Sequence, residues 1–319
     1  MFSILIVTHN SEDCIDSCLQ ACQSLSPSEI LVIDNASQDQ TLRRLSAAKF
    51  IRVIANRTNL GFAGAINQGL RILRTPLVLI LNPDTQPRNV APLIDAFADL
   101  TVGAASGRLF SPQGVPQDEF HLRRFPTPAT LIFEALGLNR LWPSNPVNRR
   151  YRSPAQEGLI DQPAGAFLMI RRSAWEHIGG FDERFYPVWF EDVDFCRRLK
   201  QAGWRIAFCP AAAALHSGGA SIRKLNREAR EVFWYGNLLR YVHKHAAAAT
   251  FRLTCATVAL AAFLRCVCSA LQLEGGAVKG YSKVIYAALA GTFSGRIGSA
   301  VSGASVESPN HGGASATAV

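Results

Sequence analysis

The chain has 319 residues, 48% of them hydrophobic and 18% charged, which excludes a disordered chain and supplies material for one or two packed domains. Its formal net charge of +9 is uneven: residues 222–319 hold 11 basic and 4 acidic side chains, leaving the preceding body nearly neutral. A basic, alanine-rich tail suits an anionic surface; the eight cysteines, with no Cys-x-x-Cys or Cys/His finger spacing, argue against structural zinc and for a reducing cytosol.

Strand and helix patterns alternate through the first third. Residues 2–7 (FSILIV) read as a buried strand rather than a secretory signal, because no basic segment precedes them and polar residues follow at once. A helix over 14–24 sets Cys14, Cys18 and Cys22 on one face, as buried small apolar residues rather than cluster ligands. Strands follow over 29–34, 51–56 and 76–82, with helices over 41–48 and 64–73 between them. Short Val/Leu/Ile strands separated by helices define an α/β chain with a largely parallel sheet covered on both faces. Ligands gather at the carboxyl ends of such strands.

A helix is expected over 88–100 and a strand over 102–110. Residues 111–161, with scattered Pro, Arg and aromatic side chains, read as a long insertion lining a variable substrate pocket. Periodicity returns with a strand from Gly165, helices over 173–178 and 191–202, a strand over 204–210, and a helix over 227–245. The predicted division is a catalytic body at 1–245, a basic, apolar helical segment at 246–300 and a disordered Gly/Ser/Ala-rich tail at 301–319. Arg252 and Arg265 interrupt residues 246–271, so an interface-lying helix and a buried hairpin fit that segment equally.

Polar residues collect at the predicted strand ends. Asp34 can accept from a ribose or base edge, or cap its own Asp-Asn-Ala-Ser turn. Asp84, expelled from an apolar strand through Asn82-Pro83, is suited to Mg²⁺ or Mn²⁺ shared with phosphate oxygens. Glu191, Asp192 and Asp194 follow an aromatic run at a helix start; the first two diverge around the helix, so at most one is a general base. His216, in a Gly/Ser loop, is a sensible further metal ligand. The Gly-bearing turn 59–64 opens a helix but is not GxGxxG, a poor match to a nicotinamide site.

Taken together, IVTHN (6–10), VIDNAS (32–37), NLGFAGAINQG (59–69), LNPDT (81–85), GAFLMIRR (165–172), the 179–204 segment and LHSGGAS (215–221) resemble a family 2 glycosyltransferase. The likeness covers about 2–245 and is nearest the rhamnosyltransferase-like subgroup, which carries Asn-Pro-Asp where other members carry Asp-x-Asp. It implies a GT-A fold, a Rossmann-like mixed, mostly parallel sheet with helices on both faces. It implies a nucleotide site at Thr8, Asn10, Asp34, Asn35, Gly61 and Asn67, and a donor-sugar site at Asn82, Gly165 and Ala166. By the same likeness Asp84 and His216 hold Mg²⁺ or Mn²⁺, and Asp192, beside Glu191, is the base of an inverting displacement. Arg223 or Lys224 is available to clamp the diphosphate. The implied partners are a nucleotide-diphospho-sugar such as dTDP-rhamnose and a glycan or lipid-linked acceptor at the inner face of the cell membrane, with no nucleic acid.

Two other classes share part of this pattern. A sugar-phosphate nucleotidyltransferase needs a Gly-rich, cationic loop after its first strand, and Thr8-His9-Asn10-Ser11 is not one. A non-catalytic scaffold is favoured by Asn82 and opposed by Asp84, Glu191 and Asp192. The absence of Gln-x-x-Arg-Trp after His216 argues against a processive synthase.

Overall fold

The computed structural model describes residues 1–151 and 157–297, around a central nine-stranded sheet. Strands β1 (Phe2–Thr8), β2 (Ile30–Asp34), β3 (Arg52–Ala55) and β4 (Leu77–Leu81) are parallel, in the spatial order β3-β2-β1-β4. The chain continues through β5 (Thr85–Asn89), β6 (Val102–Phe110), β7 (Leu122–Arg123), β8 (Gly158–Leu159), β9 (Gln162–Pro163), β10 (Phe167–Arg171) and β11 (Arg205–His216). β10 lies antiparallel between β4 and β6; β11 runs parallel to β6, and β5 and β8 pair antiparallel with β11. β7 and β9 form a separate two-stranded ribbon.

β1, β2 and β4 are buried along their whole length, which is why they read as unbroken apolar runs. Alternate residues serve opposite faces. Ile4, Ile6 and Leu79 pack with Leu19 and Leu93, whereas Leu5, Val7 and Ile80 pack with Ile66, Leu70 and Phe195. Cys18 and Cys22 are fully buried and no cysteine is disulfide-bonded among the described residues. Burial pushes the Cys14 thiol up to about 11, so this face is packing and not a reactive cluster.

Two differences from the sequence reading matter. Residues 88–100 are mostly not helical: β5 runs to Asn89 and the helix is only Ala91–Ala96. β5 carries Pro87 and polar residues, as an edge strand tolerates, so it has no apolar period to detect. The strand expected over 204–210 continues through its alanines to His216. A Cβ on Gly107 would lie 2.5 Å from the Ala212 oxygen, so β11 rides closely over β6 only because that residue is glycine.

Beyond the sheet, helices Arg227–His245, Ala248–Leu271 and Gly275–Ser294 build a further apolar cluster with Leu131, Ala135, Phe185 and Val193. The last two form a hairpin, in which Gly291 sits against Phe251 and Cys255. One side of Ala248–Leu271 is buried and the other exposes leucines, so its packed face is the hairpin reading and its outer face remains apolar. This helix is long and apolar enough to cross a membrane by length and composition, with 39% of its most apolar window buried. Residues 301–319 lie outside the described residues.

Candidate active site

The carboxyl ends of β2, β1 and β4 and the entry to β10 lie side by side, because Thr8 pairs with Asp34, Ile6 with Leu81 and Leu81 with Phe167. This edge collects the expected residues. Asp34 is fully buried; it accepts from Thr8 Oγ1 (2.8 Å), Ser37 Oγ (2.5 Å) and Ser37 N (3.0 Å). It therefore caps its own turn while standing among the nucleotide candidates. Asn10, at φ 52°, donates from its backbone to Ser37 Oγ (2.9 Å), and its side chain accepts from Gln38 N (2.7 Å). Asn35 Nδ2 donates to the Gly61 oxygen at 3.0 Å. Gly61 has φ +74°, and a Cβ there would come within 2.8 Å of the Tyr186 ring, so the turn that opens the helix Gly61–Ile72 requires glycine.

Asn67 corrects the sequence expectation. Its amide nitrogen donates to Phe181 O (2.8 Å) and Glu183 Oε1 (2.9 Å), and its oxygen accepts from Trp175 Nε1 (3.0 Å) and Phe181 N (2.9 Å). With both ends of the amide engaged, Asn67 braces the Gly61–Ile72 helix against the 179–183 turn. Lys224 is also engaged, bonding the Asn10 oxygen (2.6 Å) and pairing with Asp13 at 3.0 Å and Asp39 at 3.7 Å, whereas Arg223 is exposed.

At the other end of the edge is a cavity of about 510 Å³ that brings Asn82, Gly165, Ala166, Glu191 and Asp192 together. Asp192 accepts from Gly165 N (3.0 Å) and Val193 N (2.8 Å), and Asn82 N donates to Ala166 O (3.2 Å). Trp189 and Phe190, at φ 79° and 70°, turn the chain sharply into the helix Glu191–Gln201. Asn237 of the first C-terminal helix holds this turn through Tyr186 O (3.1 Å) and Val188 O (2.8 Å). Asp194 faces away, fully buried and paired with Arg198, Lys244 and His245 at 2.7 Å each.

Glu191 and Asp192 differ in kind. Glu191 is buried, its Oε2 has no hydrogen-bond partner, and burial together with the Asp192 charge raises its pKa well above the usual carboxyl range. A carboxyl in that position is held towards its protonated form. Because the folded-state pKa exceeds the unfolded one, the native state binds this proton more tightly, and the stability it contributes is intact below the unfolded value of about 4.3 and is lost as pH rises from there through the raised folded value. Glu191→Gln is expected to melt higher than wild type at pH 8, and thermal melts should show that advantage shrinking towards pH 4. A difference independent of pH would refute the buried, protonated state.

Asp84 and His216 meet because β5 and β11 pair Thr85 with His216. His216 Nε2 lies 3.6 Å from Asp84 Oδ1, with both side chains almost fully buried. Gln117 Nε2 donates to the His216 oxygen (3.0 Å), so its Oε1 accepts from His216 Nδ1 (2.9 Å). That orientation leaves Nε2 with a lone pair towards Asp84, and burial lowers the imidazole pKa, keeping it neutral. Phe120 stacks on the ring at 5.6 Å. No group of three or more His, Cys, Asp or Glu side chains suited to a metal occurs among the described residues, so this pair offers two ligands and leaves positions for phosphate oxygens and water.

Sequence reasoning missed Gln117 and Asn237, and it read residues 111–161 as a pocket-lining insertion without naming the residues that form the wall. Glu119, Arg123, Glu134, Asn139 and Tyr151 from that insertion, with Trp234, complete the cavity. Asn237 had no local signal, being one polar residue in an amphipathic helix; the insertion was legible only as a pocket-lining segment.

The glycosyl transferase family 2 model matches residues 3–179, and a glycosyl transferase family group 2 model matches 159–293. The chain is 28% identical over 221 residues to a low-salt glycan biosynthesis hexosyltransferase of Haloferax volcanii, covering 67% of this chain and 66% of that one. It is 31% identical over 208 residues to an N-acetylglucosaminyl-diphospho-decaprenol L-rhamnosyltransferase of Mycobacterium tuberculosis, covering 60% and 66%, respectively. It is 26% identical over 234 residues to the Escherichia coli rhamnosyltransferase WbbL, covering 68% and 83%. The chain thus spans just under two thirds of the length of the first two relatives. The mannosyltransferase PcManGT from Pyrobaculum calidifontis, solved with GDP-Man and Mn²⁺, shares the fold at a TM-score of 0.51 and 16% identity, over 91% of this chain and 86% of that one. The sheet is accordingly of the GT-A type, and the chain belongs to glycosyl transferase family 2.

Proposed function

We propose that the chain moves a sugar, with inversion, from a nucleotide-diphospho-sugar to a hydroxyl of a lipid-linked glycan at the cytoplasmic face of a membrane. The observation that carries this reading is Asp192, held by Gly165 N and Val193 N in a cavity beside Asn82 and Ala166. From Asp34 on β2 to the entry of β10 the edge spans three strand spacings, about 14 Å, room for a nucleoside, a diphosphate and a sugar laid end to end. The named rhamnosyltransferases among the relatives support rhamnose as the transferred sugar, and dTDP-rhamnose is the donor proposed.

In this reading Thr8, Asn10, Asp34, Asn35 and Gly61 form the nucleoside end. Asn82, Gly165 and Ala166 border the sugar, and Trp189, Phe190 and Trp234 offer apolar walls to donor and acceptor rings. Asp192 takes the acceptor hydroxyl proton as that oxygen attacks the anomeric carbon, and the nucleotide diphosphate leaves from the opposite face. Glu191, already neutral, adds no second negative charge beside the base. Asp84 and neutral His216 would hold Mg²⁺ or Mn²⁺, whose charge would stabilise the departing diphosphate.

Thermal shift against a panel of nucleotide sugars, with and without Mn²⁺, tests the reading. A cognate donor at a hundredfold excess over its Kd is expected to raise Tm by roughly 4 °C. No shift with any nucleotide sugar in the presence of Mn²⁺ would overturn it.

A further inference from the structure

The C-terminal hairpin leaves a long apolar face uncovered among the described residues. Leu253, Leu260, Leu264, Val267 and Leu271 recur at spacings of 7, 4, 3 and 4, one stripe of the helix Ala248–Leu271. Tyr286, Leu289 and Phe293 continue the pattern on Gly275–Ser294, and these eight side chains are 43–81% exposed. Exposed large apolar residues aligned in this number on two packed helices mark a surface that meets something.

The end of the stripe identifies the partner. Arg296, three residues past Phe293 and just beyond the Gly295 cap that ends the helix, lines a cavity of about 280 Å³ together with Arg184, Arg240, His243, Lys244 and Ile297. Arg184 and Lys244 share Asp182, at 2.6 and 2.7 Å. Among the described residues, Arg240 and Arg296 form no ion pair, and Arg240 bonds only the amide oxygen of Asn237. Burial lowers the Arg240 pKa; the nearby Asp182 charge, already shared by Arg184 and Lys244, offsets this only in part, and the Arg184 charge adds to the lowering. An excess of cations in a cavity of this size fits a phosphate group, since arginine forks match phosphate oxygens.

We propose that this face seats the chain on an anionic lipid bilayer, with the stripe entering the interface and the Arg184–Arg240–Arg296 cavity taking the phosphate of a lipid headgroup. The proposal rests on the membrane location stated above and names the surface that achieves it. Cation and apolar stripe are adjacent, which an interfacial helix pair requires and a solvated anion site does not. The same hairpin also touches a helix that lines the catalytic cavity. Arg265 of the hairpin bonds the Ala135 oxygen, and the helix Pro128–Ala135 supplies Thr130, Leu131 and Glu134 to that cavity.

Sedimentation of the full chain with vesicles of phosphatidylglycerol and phosphatidylcholine, or of phosphatidylcholine alone, tests this. The Arg240→Gln/Arg296→Gln variant is expected to need roughly 25-fold more mixed lipid, about five-fold per charge, with its weaker binding to phosphatidylcholine unchanged. Leu264→Ser/Phe293→Ser, altering two exposed side chains, is expected to lose binding to both. Excess inorganic phosphate should leave mixed-vesicle binding largely intact. Equal binding of the arginine variant and wild type to mixed vesicles would overturn the headgroup site while leaving membrane location standing. Displacement by inorganic phosphate as complete as that caused by the arginine substitutions would reassign the cavity to free phosphate. Failure of wild type to bind either vesicle would sink both the surface and the membrane location, with donor binding untouched.

Discussion

Asp192→Asn is expected to slow sugar transfer by roughly 10²- to 10⁴-fold, the usual contribution of a positioned general base. The substitution keeps an oxygen to accept from Gly165 N or Val193 N, so the turn and its helix should persist and Tm should change little. Donor affinity, measured by the thermal shift, should stay within a few-fold, because the carboxylate acts on the acceptor proton and not on the nucleotide. Glu191→Gln provides the contrast. It replaces a carboxyl that burial keeps protonated, so transfer should fall by less than about ten-fold, far short of the loss of a base. Initial rates at saturating donor decide the matter: wild-type turnover in Asp192→Asn, or an equal loss in both variants, would remove Asp192 from its role.

The second large effect concerns the Asp84–His216 pair. His216→Ala should raise the Mn²⁺ concentration needed for half-maximal donor binding by at least about 100-fold, and Asp84→Asn should act in the same direction. Gln117→Leu tests the tautomer independently. It removes the acceptor that holds the His216 Nδ1 proton, and loss of such an outer partner typically costs 10- to 100-fold, roughly, in metal affinity. A Mn²⁺ titration of donor binding for the three variants measures this. Superimposable curves would show that the diphosphate is held without this pair. The departure at Asn82 makes the experiment informative, since one carboxylate fewer leaves His216 a larger share of the ligand field.

Much of this site was visible before any fold was described. Asp34, Asn82 and Asp84 stand out because each breaks an apolar run at a point where a parallel strand must end. Asp192 stands out because acids open its helix directly after an aromatic stretch. Asn67 misled for a related reason: its polarity within the small-residue helix Gly61–Ile72 gave no sign that its partners, Trp175 and Phe181, lie more than a hundred positions away.

What the linear chain determined by itself was the alternation of buried strands and covering helices, with polar residues at one edge. The cause is local: period, turn chemistry and the cost of burying an unpaired polar group act within a dozen residues. Only the tertiary structure decided which of those residues meet. Thr85 pairs with His216 across an edge strand that has no apolar pattern, and Gly107 lets β11 pass close enough to β6 to reach that register. The same holds for the hairpin, where burial of one helix face against the body leaves the other face apolar and exposed. Such pairings are set by sheet order and packing between segments remote in sequence, and short-range patterns do not carry that information.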